Sequence, residues 1–302
     1  MSGTARGTVF TPEAPPKCER CPRLVTYRKK NELDEPQWFN GAVPSFGSAY
    51  GRLLIVGLAP GRNGANRTGR PFTGDYAGEL LYATLLKYGF ATGEYHARID
   101  DGLALVDCMI TNAVRCVPPE NKPEPSEISN CRPFFEARLA SLRNLEVILA
   151  LGRIAHDQTL ATLGKKKTLF PFAHGARHEL GDGCALYDSF HCSRYNTNTG
   201  RLTAAMFHSV FEAIRGELRS KSVGDHADEP RGSRPRRNRN DARPFASVKI
   251  DHRQPGKIIH TTGRKARQRQ RIRESQLLIA QEQIRDPSAQ SESMLCFRGL
   301  AA

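Results

Sequence analysis

The chain has 302 residues, with 45 lysines and arginines against 31 aspartates and glutamates, for a formal net charge of +14. That length accommodates one large domain or two ordinary ones, and the basic balance favours a polyanionic partner such as nucleic acid. No apolar run approaches the roughly 18–20 residues that span a bilayer, and the N-terminus lacks the apolar core of a secretory signal. The expectation is a cytoplasmic protein with no membrane association.

Charge is unevenly spread. Residues 220–302 hold 18 Lys+Arg, 9 Asp+Glu and two aromatics, Phe245 and Phe297, whereas residues 1–219 hold 27 and 22 charges of the two signs. The order expected is therefore a globular domain over 1–219 and a basic, low-complexity tail over 220–302. The tail's charge and its Pro/Gly punctuation predict disorder.

In chain order, a Pro-rich lead-in, Pro12 to Pro16, precedes the pair Cys18-x2-Cys21. Apolar runs then recur at Leu53–Val56, Leu105–Ile110, Leu145–Leu151 and Ala185–Phe190. Helical patterns lie between and after them, over Glu79–Tyr88, Ser126–Leu142, Ile154–Leu163 and Leu202–Leu218. The last places Met206, Phe207, Val210, Phe211 and Ile214 on one face. Short apolar strands alternating with helices predict βαβ units, a mostly parallel sheet, and helices on both faces.

In such a sheet, ligands bind beyond the carboxyl ends of the strands. There the sequence places Gly57-Leu58-Ala59-Pro60-Gly61, then Thr111-Asn112-Ala113, then Gly152-Arg153, then His191-Cys192-Ser193-Arg194. Glycines, amides, a histidine and arginines suit an anionic or amide-edged ligand. The first loop matches neither GxxxxGK[ST] nor GxGxxG, which argues against a nucleotide P-loop.

Eight cysteines in an intracellular chain read as metal ligands or core thiols before disulfides. Cys18-x2-Cys21 and Cys116-x14-Cys131 form two pairs. Four thiolates suit zinc or an iron–sulfur cluster, and the spacing alone leaves both open, along with the reading of Cys116 and Cys131 as core thiols. Cys108 and Cys184 sit inside apolar runs and are expected to pack in the core.

Three segments, GLAPGRNGANRTGRPFTGD, ITNAVRCVPPENKP and HCSRYNTNTGRLT, together resemble the uracil-DNA glycosylase superfamily, and specifically its family 5. The resemblance covers residues 15–218. It implies a three-layer α/β/α sandwich around a short, mostly parallel sheet. It also implies a [4Fe–4S] cluster held by Cys18, Cys21, Cys116 and Cys131. Family 4 has GEAPG in its first motif, where this chain has Leu58, so the resemblance assigns the catalytic carboxylate to Asp75. It makes His191 the donor to the departing base and Phe72 the stacking platform. Gly57, Ala59 and Asn112 become base-binding residues, and Arg194, Asn196, Asn198 and Arg201 become DNA contacts. The implied activity is base-excision repair: hydrolysis of the N-glycosidic bond of uracil and other deaminated bases in DNA by a monomer. The alternatives are a non-catalytic iron–sulfur DNA-binding protein and a family 4-like enzyme restricted to uracil. Three positions depart from the family pattern: Cys192 stands where proline is usual after the histidine, Tyr195 where glutamine is expected, and Asn63 where histidine is expected.

Overall fold

The structure, a computed structural model, describes residues 11–224. Helix α1 (Pro22–Asp34) opens it, with proline at its start, where the amide would have no intrahelical partner. The two-residue edge strand β1 (Phe46–Gly47) and strand β2 (Leu53–Gly57) follow, then the single-turn helix α2 (Ala65–Thr68) and helix α3 (Tyr76–Lys87). Strands β3 (Ala91–Thr92) and β4 (Ala104–Leu105) make a separate two-stranded ribbon. The rest alternates: β5 (Cys108–Asn112), α4 (Pro125–Ser141), β6 (Val147–Leu151), α5 (Arg153–Thr162), β7 (Arg177–Gly181), β8 (Cys184–Ser189), α6 (Arg194–Asn198) and α7 (Ala204–Gly224).

The six-stranded sheet has the order β1-β5-β2-β6-β8-β7. Its four inner strands are parallel, and the two edge strands are antiparallel to their neighbours. Every residue of β2, β5 and β6 is buried, as expected of strands covered on both faces. Alternate side chains serve opposite cores. Leu53, Ile55, Ile110 and Leu149 pack with α3 and α7 through Leu81, Leu85, Phe207 and Phe211. Leu54, Val56, Ile148 and Leu186 pack with α4 and α5 through Phe135, Ala155 and Leu160. These two cores define the three layers that were expected.

Three details differ from the sequence reading. The run Leu105–Ile110 is not one strand: Asp107 takes φ 55°, and its carboxylate bridges to Arg52 at 2.6 Å, so Leu105 ends β4 and Cys108 begins β5. Cys184 is only partly buried at the start of β8. The last helix continues past Arg219 to Gly224, where Lys221 pairs with Glu217 at 3.0 Å and donates to the Gly183 carbonyl at 2.7 Å. The expected disordered tail lies, beyond Gly224, outside the described residues.

Candidate active site

The carboxyl ends of β2, β5 and β8 open into a cleft of about 380 Å³, lined among others by Ala59, Phe72, Asp75, Asn112, His191 and Arg194. Its floor is set by register. Gly57 and Asn112 are cross-strand neighbours on β2 and β5. A Cβ on Gly57 would lie 2.3 Å from Asn112 Oδ1 and 2.7 Å from the Phe72 ring, so only glycine lets the amide and the ring meet. Asn112 is 2 % exposed, and its Oδ1 is buried without a hydrogen-bond partner. A buried polar atom left unpaired is costly, and this one lies at the wall of a ligand-sized cleft.

Phe72 is buried with φ 56°, a left-handed conformation that bulky residues rarely adopt and that tends to persist where function requires it. Its carbonyl accepts a hydrogen bond from Tyr95 Oη at 3.3 Å. Tyr82 Oη, donating to the Pro71 carbonyl at 2.6 Å, anchors the preceding residue. Gly78 in α3 presses against the same turn, since a Cβ there would fall 1.7 Å from the Phe72 carbonyl oxygen.

Asp75 is the N-cap of α3, its Oδ1 accepting from Gly78 N at 3.0 Å. The same carboxylate also reaches the first loop: a Cβ on Gly61 would lie 3.3 Å from Oδ2. Asp75 thus caps a helix and lines the cleft, and among the lining residues it is the one carboxylate. Burial holds its pKa above the usual carboxylate value, partly offset by the amides of Gly78 and Ala77. Across the cleft, the His191 ring lies 5.9 Å from that of Phe72. Burial pushes its pKa down to about 4, so the imidazole is neutral at physiological pH and carries one N–H to donate.

Arg194, which lines the cleft, lies over the Tyr76 ring at 5.2 Å, and Arg201, beyond α6, lies over Phe190 at 4.7 Å. Both arginines and Asn198 are exposed, as is Tyr195 at 71 %. Asn196 turns inward, its Nδ2 donating to the His191 carbonyl at 2.8 Å. Of the expected DNA contacts, it is therefore the one whose amide is already engaged within the protein.

The four paired cysteines converge, although the two pairs lie far apart in sequence. Cys18, Cys21, Cys116 and Cys131 line one small cavity with Leu24, Val114 and Phe134, and all four thiols are free. Protein donors point at three sulfurs: Arg115 N at 3.3 Å from Cys131 Sγ, Arg28 Nη1 at 3.8 Å from Cys116 Sγ, and Asn130 Nδ2 at 3.8 Å from Cys21 Sγ. Burial pushes Cys116 up to about 12 and Cys131 up to about 11. Thiols so placed become thiolates when a metal supplies the positive charge. Donors aimed at sulfur are the kind of outer contact that orients such ligands. The N-terminal arm is pinned here too, Glu13 pairing with Arg138 and, at 3.4 Å, with the fully buried Arg115.

Residues 44–215 match the family model of the uracil DNA glycosylase superfamily. The chain belongs to that superfamily. It is 46% identical over 199 residues to a type-5 uracil-DNA glycosylase of Thermus thermophilus, covering 64% of this chain and 90% of the relative. It is 42% identical over 208 residues to one of Mycobacterium bovis, covering 66% and 77%. A type-4 uracil-DNA glycosylase of Saccharolobus solfataricus is 33% identical over 204 residues, covering 66% and 82%.

Sequence reasoning missed several residues lining the cleft of this superfamily member. Asn121 is one, held at φ 57° in the turn after Pro118 and Pro119. Its signal was an asparagine, which tolerates the left-handed region, inside the second motif. Tyr76 also lines the cleft, adjacent in sequence to Asp75, which was singled out. Among the described residues, no helix is long and apolar enough to cross a membrane.

Proposed function

We propose that the protein hydrolyses the N-glycosidic bond of uracil, and of other deaminated bases, in DNA and leaves an abasic site. The observation that carries this reading is the meeting of Asp75 and a neutral His191 over the unpartnered Asn112 Oδ1 in one cleft. Breaking the bond leaves positive charge on the sugar and negative charge on the base. Asp75 faces the first, stabilising it and orienting the water that attacks the anomeric carbon. His191 donates its N–H to the base oxygen on which the second develops.

The target atom is out of reach in a duplex, so the nucleotide is flipped into the cleft. Phe72 then stacks on the base. Asn112 Oδ1 accepts the ring N–H of uracil, and its amide nitrogen donates to the neighbouring carbonyl. Arg194 and Arg201, each laid over an aromatic ring, hold backbone phosphates, and Tyr195 stacks on bases at the lesion. Leu58 lines the cleft where family 4 has an acidic residue, which favours a spectrum wider than uracil. The enzyme is expected to act as a monomer, checked by sedimentation.

The test is incubation with duplexes carrying uracil, hypoxanthine or xanthine, then treatment with alkali. Strand breaks at the uracil and at one or both purines are expected. Breaks at uracil alone point to the restricted spectrum, and a protein that binds these duplexes but releases no base sinks the reading.

Cys18, Cys21, Cys116 and Cys131 would hold a [4Fe–4S] cluster, and the cavity they share supports that assignment. When bound, the cluster supplies a crosslink between the N-terminal arm, the segment after β5 and helix α4, and no chemistry of the glycosidic step. The chain's own residues do the rest: Arg28, Arg115 and Asn130 orient the sulfurs. Cys116→Ser is expected to abolish the broad visible absorbance and the iron content of the purified protein, and to lower its thermal midpoint. Stoichiometric zinc without iron in the wild-type protein would overturn the assignment.

A further inference from the structure

The imidazole of His191 must meet the cleft in one orientation, yet its neighbour is a cysteine whose φ is unrestrained, where a proline would fix it. Hydrogen bonds from three different elements restrain this segment instead. The fully buried Cys192 donates from Sγ to the Ala77 carbonyl in the first turn of α3, at 3.4 Å. Asn196 in α6 donates to the His191 carbonyl at 2.8 Å. The third restraint comes from the loop between α5 and β7. There His174 Nδ1 accepts the Phe190 N–H at 3.1 Å, and its Nε2 lies 3.2 Å from the Met206 carbonyl in α7.

These partners settle the state of the ring. A backbone N–H can only donate, so Nδ1 carries the lone pair. A carbonyl can only accept, so Nε2 carries the hydrogen. The imidazole is neutral, in agreement with burial holding its pKa below the ordinary histidine value. It also stacks on the Phe190 ring, with centroids 5.1 Å apart and planes at 23°. One side chain therefore ties the exit of β8 to the start of α7, one residue before His191.

We propose that His174 is a positioning residue for base excision: it holds the Phe190–His191 backbone so that the His191 N–H meets the leaving base. The inference rests on the functional reading above. Phenylalanine at 174 keeps an aromatic ring to stack on Phe190 but leaves the Phe190 N–H and the Met206 carbonyl unpaired. Glutamine offers one acceptor and one donor, and is uncharged at every pH.

The experiment is single-turnover excision from a U:G duplex with enzyme in excess, alongside binding to a duplex carrying a cleavage-resistant 2′-fluorinated deoxyuridine, and thermal melting. His174→Phe is expected to slow excision by about tenfold, a difference of about 1.4 kcal/mol in the barrier, with binding close to wild type and a melting point lowered only by the two groups left unpaired. His174→Gln is expected to recover most of the rate. In a His191→Ala background, His174→Phe should slow excision no further, because a residue acting only through His191 shows that non-additivity. A full rate in His174→Phe overturns the proposal. So does a loss that adds to that of His191→Ala, or one that appears together with weaker binding and a lowered melting point in both position-174 variants. A wild-type protein that releases no base instead overturns the functional reading on which the proposal stands.

Discussion

Asp75→Asn is expected to lower single-turnover excision of uracil by on the order of 10³ while leaving DNA affinity and folding intact. Asparagine is the decisive replacement because the proposed mechanism adds a catalytic job to the observed cap. Its Oδ1 caps α3 through Gly78 N, and loss of such a cap costs about 1 kcal/mol. An asparagine oxygen keeps the cap and removes only the charge. A loss of rate without a loss of binding is the pattern of an interaction made in the transition state. Asp75→Ala should lose the same rate and also melt earlier, and the comparison separates the two jobs.

The same carboxylate sets the expected acid limb. Burial raises the Asp75 pKa above the ordinary aspartate value of 3.8, and in the proposed mechanism the ionised form stabilises the sugar cation. The rate should therefore fall as pH drops through a value above that of an ordinary aspartate, and the limb should vanish in Asp75→Asn. Stability moves the other way. A folded pKa raised above the unfolded one means that the folded state holds the proton more tightly, so this group's stabilising contribution is present below the unfolded pKa and is lost as pH rises. At neutral pH the ionised Asp75 is thus a net cost, and Asp75→Asn is expected to melt no lower than wild type. An Asp75→Asn protein with full activity would reduce Asp75 to a helix cap.

The sheet and the edge that carries the cleft were legible because buried parallel strands are short apolar runs, and the residues at the carboxyl ends of such runs face the cleft. Gly57, Asn112 and His191 each sit at or just after one of these runs. Helix α1 was not legible, since its buried stripe is Leu24, Arg28 and Asn31, with the right spacing but polar chemistry. Strand β7 turns only His178 and Leu180 inward, so its alternation carries a single apolar residue and no legible pattern. Asp107 hid the break between β4 and β5, because a single left-handed residue inside an apolar run has no periodic signature. The cysteine cavity was legible only through resemblance: spacing shows that two thiols are neighbours, not that a second pair lies beside them in space. His174 carried no signal at all. It is a loop histidine whose meaning depends on one amide and one carbonyl that come together only in the folded chain.

His191→Ala is expected to slow uracil excision by about 10²–10³, the cost of one preorganised donor to a developing anion, or about 3–4 kcal/mol. The manner of the loss distinguishes two roles. A general acid works best with a pKa near the working pH, but burial pushes His191 down to about 4, so at pH 7 only about one molecule in 10³ is protonated. In the proposed mechanism the residue therefore donates a hydrogen bond from a neutral ring and does not hand over a proton. Between pH 5 and 8 the His191→Ala profile should run parallel to that of wild type, displaced downward, with no limb near 6.5 gained or lost. His191→Gln, which retains a neutral N–H donor, should recover part of the rate. The cost should also depend on the base, being smaller for hypoxanthine, where the leaving charge settles elsewhere on the ring. Stability carries a separate sign. A histidine whose folded pKa lies below its unfolded value of about 6.5 opposes folding as pH falls from that value towards 4, because the unfolded chain takes up the proton first. His191→Ala should therefore flatten the fall of the melting point over that window while it slows excision. Equal rates for wild type and His191→Ala on every base would make the histidine structural, and the charge on the departing base would then need a donor elsewhere in the cleft.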